Sequence, residues 1–339
     1  MTPLTSVLIV DDEPAVRDIM ARWVKSLGLR PKTAANADEA LATLRTQHYD
    51  LAVIDVMMPG HDGLWLASEL QRDHPNTAVV IATAYSDLLN DGRPAPPVAD
   101  LLIKPFHRDR FELAVDRGRQ WRKQALEELR WHAMLSLELV DRTEQMCATV
   151  LQWAAAGISE EDALVSVAID RTPDTMAHAE RVTRYAVTVA REMGVDVELG
   201  PIFPIAARMH DIGKAAMPEA LVTKPSQLTP GELAIMRRHV DAGAEILAST
   251  RTLAETAPIV LASHEWFGGG GYPKRLAGAA IPLGSRIIAV ADAYDAMTQD
   301  REYRRRVDSG DAIEELLRCC PSQFDPDVVS AFFAVLGRH

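Results

Sequence analysis

From residue 6 to about residue 120, short apolar runs alternate with stretches of helical spacing. Residues 6–10, 51–55, 78–83 and 99–103 are rich in Val, Ile, Leu and Ala, which predicts buried strands, with a weaker strand at 30–33. Between them, 14–27, 37–47 and 63–72 carry apolar residues at the spacing of an amphipathic helix. Strands that alternate with helices predict parallel βαβ units. Residues 1–120 are therefore expected to form an α/β, doubly wound domain on a five-stranded parallel sheet. The segment 90–97, Asn-Asp-Gly-Arg-Pro-Ala-Pro-Pro, cannot continue a regular helix and reads as an exposed loop.

From His107 to about Ala156 the pattern is helical throughout, with Trp121, Leu126, Leu129, Leu135, Leu139, Met146 and Val150 forming an apolar stripe. Residues 121–156 read as a helical linker. Its stripe either covers its own domain or pairs with its twin in a homodimer, through a coiled-coil-like seam. Beyond residue 157 no strand-rich pattern remains. Pro173, Pro201, Pro204, Pro218, Pro225, Pro230, Pro258 and Pro273 punctuate helical stretches, which predicts an all-α domain over 157–339.

A length of 339 residues suits two domains. A net charge of −12 argues against a nucleic-acid-binding output domain, because DNA binders present a basic face. No apolar run approaches the ~18 residues of a membrane span, so no membrane insertion is expected. Acidic residues arrive too early for a signal peptide, and the cytoplasm is the expected location. Cys147, Cys319 and Cys320 form neither a metal-type spacing nor a disulfide framework.

Candidate chemistry in the first domain gathers at strand ends. Asp11 and Asp12 follow the first strand, Asp55 ends the third, Thr83 ends the fourth, and Lys104-Pro105 follow the last. The carboxyl ends of parallel strands are where such folds place ligands. Three carboxylates there suit Mg²⁺, and a hydroxyl and an ammonium can hold phosphoryl oxygens. The set, with Met57-Met58-Pro59-Gly60-His61-Asp62-Gly63 after Asp55, resembles the receiver domain of two-component response regulators over residues 5–120. The resemblance implies that Asp55 is the phospho-acceptor for a cognate histidine kinase. It also implies Mg²⁺ at Asp11, Asp12 and Asp55, phosphoryl contacts from Thr83 and Lys104, and a cis Lys104–Pro105 bond. Leu101 stands where the family carries an aromatic switch residue.

In the second domain the few histidines fall beside carboxylates: His210-Asp211 before Ile212-Gly213-Lys214, and Asp292 in a helical run. Imidazoles and carboxylates together suit divalent metals such as Mn²⁺, Fe²⁺, Ni²⁺ or Zn²⁺, and two such ions can clamp a phosphodiester for in-line attack. Several segments extend the pattern. They are His178-Ala179-Glu180-Arg181, Lys224-Pro225 with Leu228-Thr229, His239 with Gly243, His264-Glu265, Gly271-Tyr272-Pro273, Asp300-Arg301-Glu302-Tyr303-Arg304 and Phe324-Asp325-Pro326. Together they resemble the HD superfamily of metal-dependent phosphohydrolases, and within it the HD-GYP subfamily that hydrolyses cyclic di-GMP. The resemblance implies two divalent metal ions, Fe, Mn or similar. His178, His210, Asp211 and Asp292 would hold one, with Asp211 bridging to a second held by His239 and His264, and Asp174 in a position to add a bridge. It implies a catalytic role for Asp211 and Lys214, and substrate contacts from Arg301, Arg304 and Tyr272.

Two positions depart from that family. Ser263 stands where a first His of a His-His-Glu run belongs, and Gly268 where an Asp belongs. A serine hydroxyl is a poor ligand for these metals, so the second metal is expected to be weakly held. Four consecutive glycines, 268–271, predict a loop that orders only on binding. Two readings follow: a phosphorylation-regulated cyclic di-GMP phosphodiesterase, or a catalytically impaired signalling module that acts by binding a nucleotide or protein.

Overall fold

The computed structural model describes residues 6–84, 98–171, 173–299 and 306–337, leaving aside the side chains of 170–175. The segment 90–97 lies outside the described residues. The chain divides into two compact units, Met1–Trp131 and His132–His339.

The first unit runs β1 (Ser6–Val10), α1 (Pro14–Ser26), β2 (Arg30–Ala34), α2 (Ala37–Thr46), β3 (Leu51–Asp55), α3 (Gly63–Asp73), β4 (Ala78–Thr83) and β5 (Asp100–Ile103), then enters α4 (Arg108–Ala155). The five strands form one parallel sheet in the order β2-β1-β3-β4-β5, as the alternation predicts. β1, β3 and β4 are buried at every position, because helices cover both faces and no position can be polar without a partner. Side chains alternate between the faces. Leu8, Val10, Ala52 and Ile54 meet Ala40, Leu44, Leu66 and Leu70 of α2 and α3. Val7, Ile9, Leu51 and Val53 meet Met20 and Val24 of α1 and Phe111, Ala114 and Val115 of α4. β2 is the weak strand of the sequence because it is an edge: Pro31 and Lys32 are tolerated there, and most of it is exposed or half-buried.

Connections leave β1 and β3 in opposite directions along the sheet, so their carboxyl ends open a crevice, and that is where Asp11, Asp12 and Asp55 stand.

The second unit is helical, as expected. After α4 come α5 (Glu160–Arg171), α6 (Pro173–Glu192), α7 (Asp196–Leu199), α8 (Ile202–Arg208), α9 (Glu219–Val222), α10 (Pro230–Met236), α11 (His239–Ala248), α12 (Ala257–Leu261), α13 (Leu283–Thr298), α14 (Ser309–Arg318) and α15 (Pro326–Leu336). Val182, Ala186 and Val189 of α6 share one core with Ile287, Ile288 and Ala291 of α13 and with Val328 and Phe332 of α15. Tyr185, Tyr294 and Phe332 close it as an aromatic triangle, with centroids 4.9–5.7 Å apart. This packing sets α6 against α13, the two helices that carry His178 and Asp292.

Of the two readings of the α4 stripe, the one in which it covers its own chain describes most of it. Leu135, Leu139, Met146 and Val150 are buried within the second unit, and Trp121 packs against the core of the first. A helix buries its apolar stripe against the nearest apolar surface, and here that surface belongs to the same chain. The exposed apolar residues of the helix are others, among them Met134, Leu137, Val140 and Leu151, with Leu129 the exposed member of the stripe.

Candidate functional site

At the carboxyl edge of the sheet, Asp11, Asp12 and Asp55 each offer an oxygen to one cluster. Asp11 and Asp55 are buried and Asp12 is exposed, so the cluster opens to solvent on one side. Lys104 Nζ lies 2.7 Å from Asp11 Oδ2 and 3.0 Å from Asp55 Oδ2. Burial pushes the Asp55 carboxyl above the ordinary carboxylate range, although Lys104 pulls the other way. The two carboxylates hold Lys104 above its usual value in spite of burial. Thr83 is buried at the end of β4, and the Lys104–Pro105 bond is cis. Leu101, at the switch position, is half-buried against the core.

In the helical unit two further clusters form: His178, His210 and Asp292, and Asp211, His239 and His264. Asp211 stands between them. Its Oδ2 lies 3.5 Å from His210 Nε2 and 3.9 Å from His178 Nε2, while its Oδ1 lies 3.4 Å from His239 Nε2. Local structure aims the imidazoles. His210 follows the end of α8 and donates Nδ1–H to Ala207 O at 2.8 Å; His239 opens α11 and donates to Met236 O at 2.9 Å. Each bond satisfies a helix-terminal carbonyl and leaves Nε2, with its lone pair, facing the cluster. His239 Nε2 and His264 Nε2 approach to 3.2 Å.

The electrostatics suit metal ligands at His264, Asp211 and Asp292, whereas His178 must give up a proton for its Nε2 to bind an ion. Burial and neighbouring His239 hold His264 down at about 4, so it is a neutral donor at neutral pH. Burial alone would raise Asp211 and Asp292. Lys214 and His210 hold Asp211 well below the carboxylate range, and the bond from His178 does the same for Asp292. Burial pulls His178 down, but its bonds to Asp292 and Asp295 prevail and push it up to about 9. Two buried atoms, His210 Nε2 and Asp211 Oδ1, have no hydrogen-bond partner. Buried polar atoms are seldom left so without an ion or water to meet them, and both point into the clusters.

Lys214 Nζ lies 2.5 Å from Asp211 Oδ2, with its side chain 37% exposed, so it reaches the site from the solvent side. Tyr272 lies parallel to the His264 ring at 5.2 Å, with burial pushing its phenol up to about 12. Arg237, which the motif reading passed over, sits 5.1 Å over the other partner of that stack, the Tyr272 ring. Asp295, in the helical run of Asp292, and Arg181, within the His178–Arg181 segment, were assigned no role from the sequence. They lie one turn after Asp292 on α13 and one turn after His178 on α6, and that repeated spacing is the signal that could have found them. Arg301, Arg304 and the side chain of Asp174 lie outside the described residues.

Gly213 explains why a glycine follows the His-Asp pair. A Cβ there would sit 1.9 Å from His239 O and 2.5 Å from Gly243 N, because α11 crosses directly over it. Gly213→Ala is expected to cost about 3 kcal/mol of stability, the upper end of overpacking, since backbone rather than a flexible side chain must move. Thermal unfolding checks the stability, and metal content checks that His239 moves with α11.

The departures from the family pattern are accommodated rather than left loose. Ser263 is buried and donates to Val260 O at 2.8 Å, so its proton is committed to the backbone. The glycine loop corrects the expectation of a segment that orders only on binding. Phe267 N and Gly268 N donate to Gln323 O and Ser322 O at 2.9 and 3.0 Å, and Gly278 N donates to Phe267 O at 2.8 Å. Glu265, buried, accepts from Lys274 N and Leu276 N at 2.7 and 3.0 Å. A Cβ at Gly268 would meet Ser322 O at 2.8 Å, and one at Gly271 would meet Trp266 N at 2.2 Å. These glycines permit close backbone approach, and the hydrogen bonds offset their entropic cost.

A receiver fold with an acidic crevice, followed by a helical unit with paired His/Asp clusters, is the architecture of a response regulator with an HD-type output. The chain matches the family model of the response regulator receiver domain at residues 7–116 and that of the HD domain at residues 162–328. It belongs to the response regulators that join these two domains. A cyclic di-GMP phosphodiesterase of Thermotoga maritima is 30% identical, over 96% of this chain and 89% of that protein. The cyclic di-GMP phosphodiesterase response regulator RpfG of Xanthomonas campestris is 31% identical, over 96% and 86%. A 3'3'-cGAMP-specific phosphodiesterase of Vibrio cholerae is 37% identical, over 47% of this chain and 31% of its own length.

Proposed function

We propose that this protein is a phosphorylation-regulated response regulator whose output domain hydrolyses cyclic di-GMP at a binuclear metal centre. The observation that carries the reading is Asp211. One of its oxygens faces each cluster, and both its Oδ1 and His210 Nε2 are buried without a hydrogen-bond partner. In this reading His178, His210 and Asp292 hold one divalent ion, His239 and His264 hold the other, and Asp211 is shared between them. Bound ions of the Fe or Mn type would polarise the scissile phosphate and acidify the attacking water. Lys214 meets the developing charge on a phosphate or leaving oxygen. Tyr272, protonated at neutral pH, offers a hydrogen bond to substrate from its stacked position on His264. Arg301 and Arg304 belong to the proposal as phosphate contacts, and Asp174 as an additional bridge.

The relatives named for cyclic di-GMP align along nearly the whole chain, which supports this substrate over the non-catalytic reading. At the other end of the chain, a histidine kinase would phosphorylate Asp55 with Mg²⁺ at Asp11, Asp12 and Asp55. No helix among the described residues is long and apolar enough to cross a membrane. A homodimer would use the outer face of α4, where Leu137 and Val140 are exposed.

The test is product formation from cyclic di-GMP by reduced, purified protein with Mn²⁺ or Fe²⁺, beside a chelator-treated sample. Linear dinucleotide or GMP is expected with metal and none after chelation. Absence of turnover by folded, metal-loaded protein would overturn the reading, and faster turnover of 3'3'-cGAMP would reassign the substrate.

A further inference from the structure

Three of the cluster histidines have a defined partner on Nδ1, and the partners are not alike. His210 and His239 donate to neutral backbone carbonyls. His178 instead bonds a carboxylate, Asp295 Oδ2, at 2.6 Å. Asp295 is 1% exposed and serves no other part of the proposed chemistry. Its charge is matched by Arg181, whose Nε reaches Oδ1 at 2.7 Å and whose terminal nitrogen reaches Oδ2 at 2.9 Å, a two-pronged grip.

We propose that Asp295 is a positioning residue that makes the His178–His210–Asp292 cluster the tighter metal site, so that the Asp211–His239–His264 cluster fills second and empties first. This rests on the metal-site reading above. A carboxylate on Nδ1 fixes both the tautomer and the ring orientation, and it raises electron donation from Nε2. Here it turns His178 Nε2 toward Asp292 Oδ1, 3.1 Å away. Arg181 holds the buried Asp295 charge in place, with Nε on Oδ1 and a terminal nitrogen on Oδ2, and Oδ2 also keeps its shorter bond to His178 Nδ1.

Among the described residues, the second cluster has no such carboxylate support. His239 leans on a carbonyl, and the hydroxyl of Ser263, next to His264, is turned to Val260 O. The asymmetry is built from two i, i+3 pairs that face each other across the α6–α13 contact: His178 with Arg181, and Asp292 with Asp295.

The experiment is a Mn²⁺ titration of the stripped full-length chain. Bound metal per chain is measured by equilibrium dialysis and elemental analysis, and the thermal midpoint of the stripped protein is recorded beside it. The wild type is expected to bind in two separated steps. Asp295→Asn, which keeps shape and removes charge, is expected to weaken the first step by about 10- to 100-fold and leave the second nearly unchanged. Asp295→Glu is expected to recover part of the loss.

An unchanged first step in Asp295→Asn overturns the proposal. So does an equal weakening of both steps together with a lowered midpoint, since that is what a purely structural role produces. If Asp295→Asn does not fold, Arg181→Lys decides: weakening confined to the first step supports the proposal, and no weakening overturns it. A wild-type chain that binds no Mn²⁺ would instead bring down the metal-site reading itself.

Discussion

Asp211→Ala is expected to lose bound metal and cyclic di-GMP turnover together, with activity falling roughly 10³-fold or more. The size follows from where the side chain stands. It is 3% exposed, and its two oxygens reach toward His210 and His239 from opposite sides, so one substitution takes an oxygen from both clusters. It also removes the partner of Lys214, whose ammonium lies 2.5 Å from the carboxylate. Alanine would leave that charge at the site mouth with one less anion to balance it. Metal content and turnover measured on the same sample, with a melting curve to establish folding, check the prediction. Full metal content in a folded Asp211→Ala protein would sink the ligand assignment.

Asp55→Asn is expected to abolish phosphoryl incorporation from acetyl phosphate and Mg²⁺, read as the loss of the phosphoprotein band on a phosphate-affinity gel. Asp55 is the buried carboxylate that shares a cluster with Asp11 and Asp12 and lies 3.0 Å from Lys104. The lysine can therefore meet phosphoryl oxygens added to Asp55 without moving far. The same variant carries a stability prediction. Burial raises the Asp55 carboxyl, and an acid raised on folding resists ionisation in the native state; its charge thus costs stability at neutral pH, a cost that disappears as pH falls below the raised value. Asparagine removes that charge, so the metal-free variant is expected to melt above wild type at neutral pH. Continued phosphorylation of Asp55→Asn would move the acceptor elsewhere.

The strands of the first domain were legible because three of them are covered on both faces, and complete burial leaves an uninterrupted apolar run in the sequence. β2 was faint for the same reason in reverse: an edge strand need not be apolar, and Arg30, Pro31 and Lys32 conceal it. Asp11, Asp12, Asp55, Thr83 and Lys104 were legible from their order at strand ends. The histidines and aspartates of the second domain were legible from residue type and local spacing, which metal ligation restricts narrowly.

Contacts between distant segments were not legible. Asp295 meets His178 across 117 positions of chain, and nothing in either segment names the other. The same holds for the division of Asp211 between two clusters and for Arg237 over Tyr272. The stripe on α4 was correctly seen as apolar, yet periodicity reports only that a face needs covering, and the fold supplied the cover. The four glycines were read as entropy alone, whereas Ser322 and Gln323, far along the chain, supply the carbonyls that hold the loop.

Sequence alone therefore determined the two fold classes and the residue types of the clusters that could hold an ion, because these depend on local periodicity and on chemistry carried by single side chains. Tertiary structure alone decided which carboxylate stands between the clusters, which histidine is braced by a buried acid, and which apolar face is already occupied. Those are properties of packing between helices far apart in the chain.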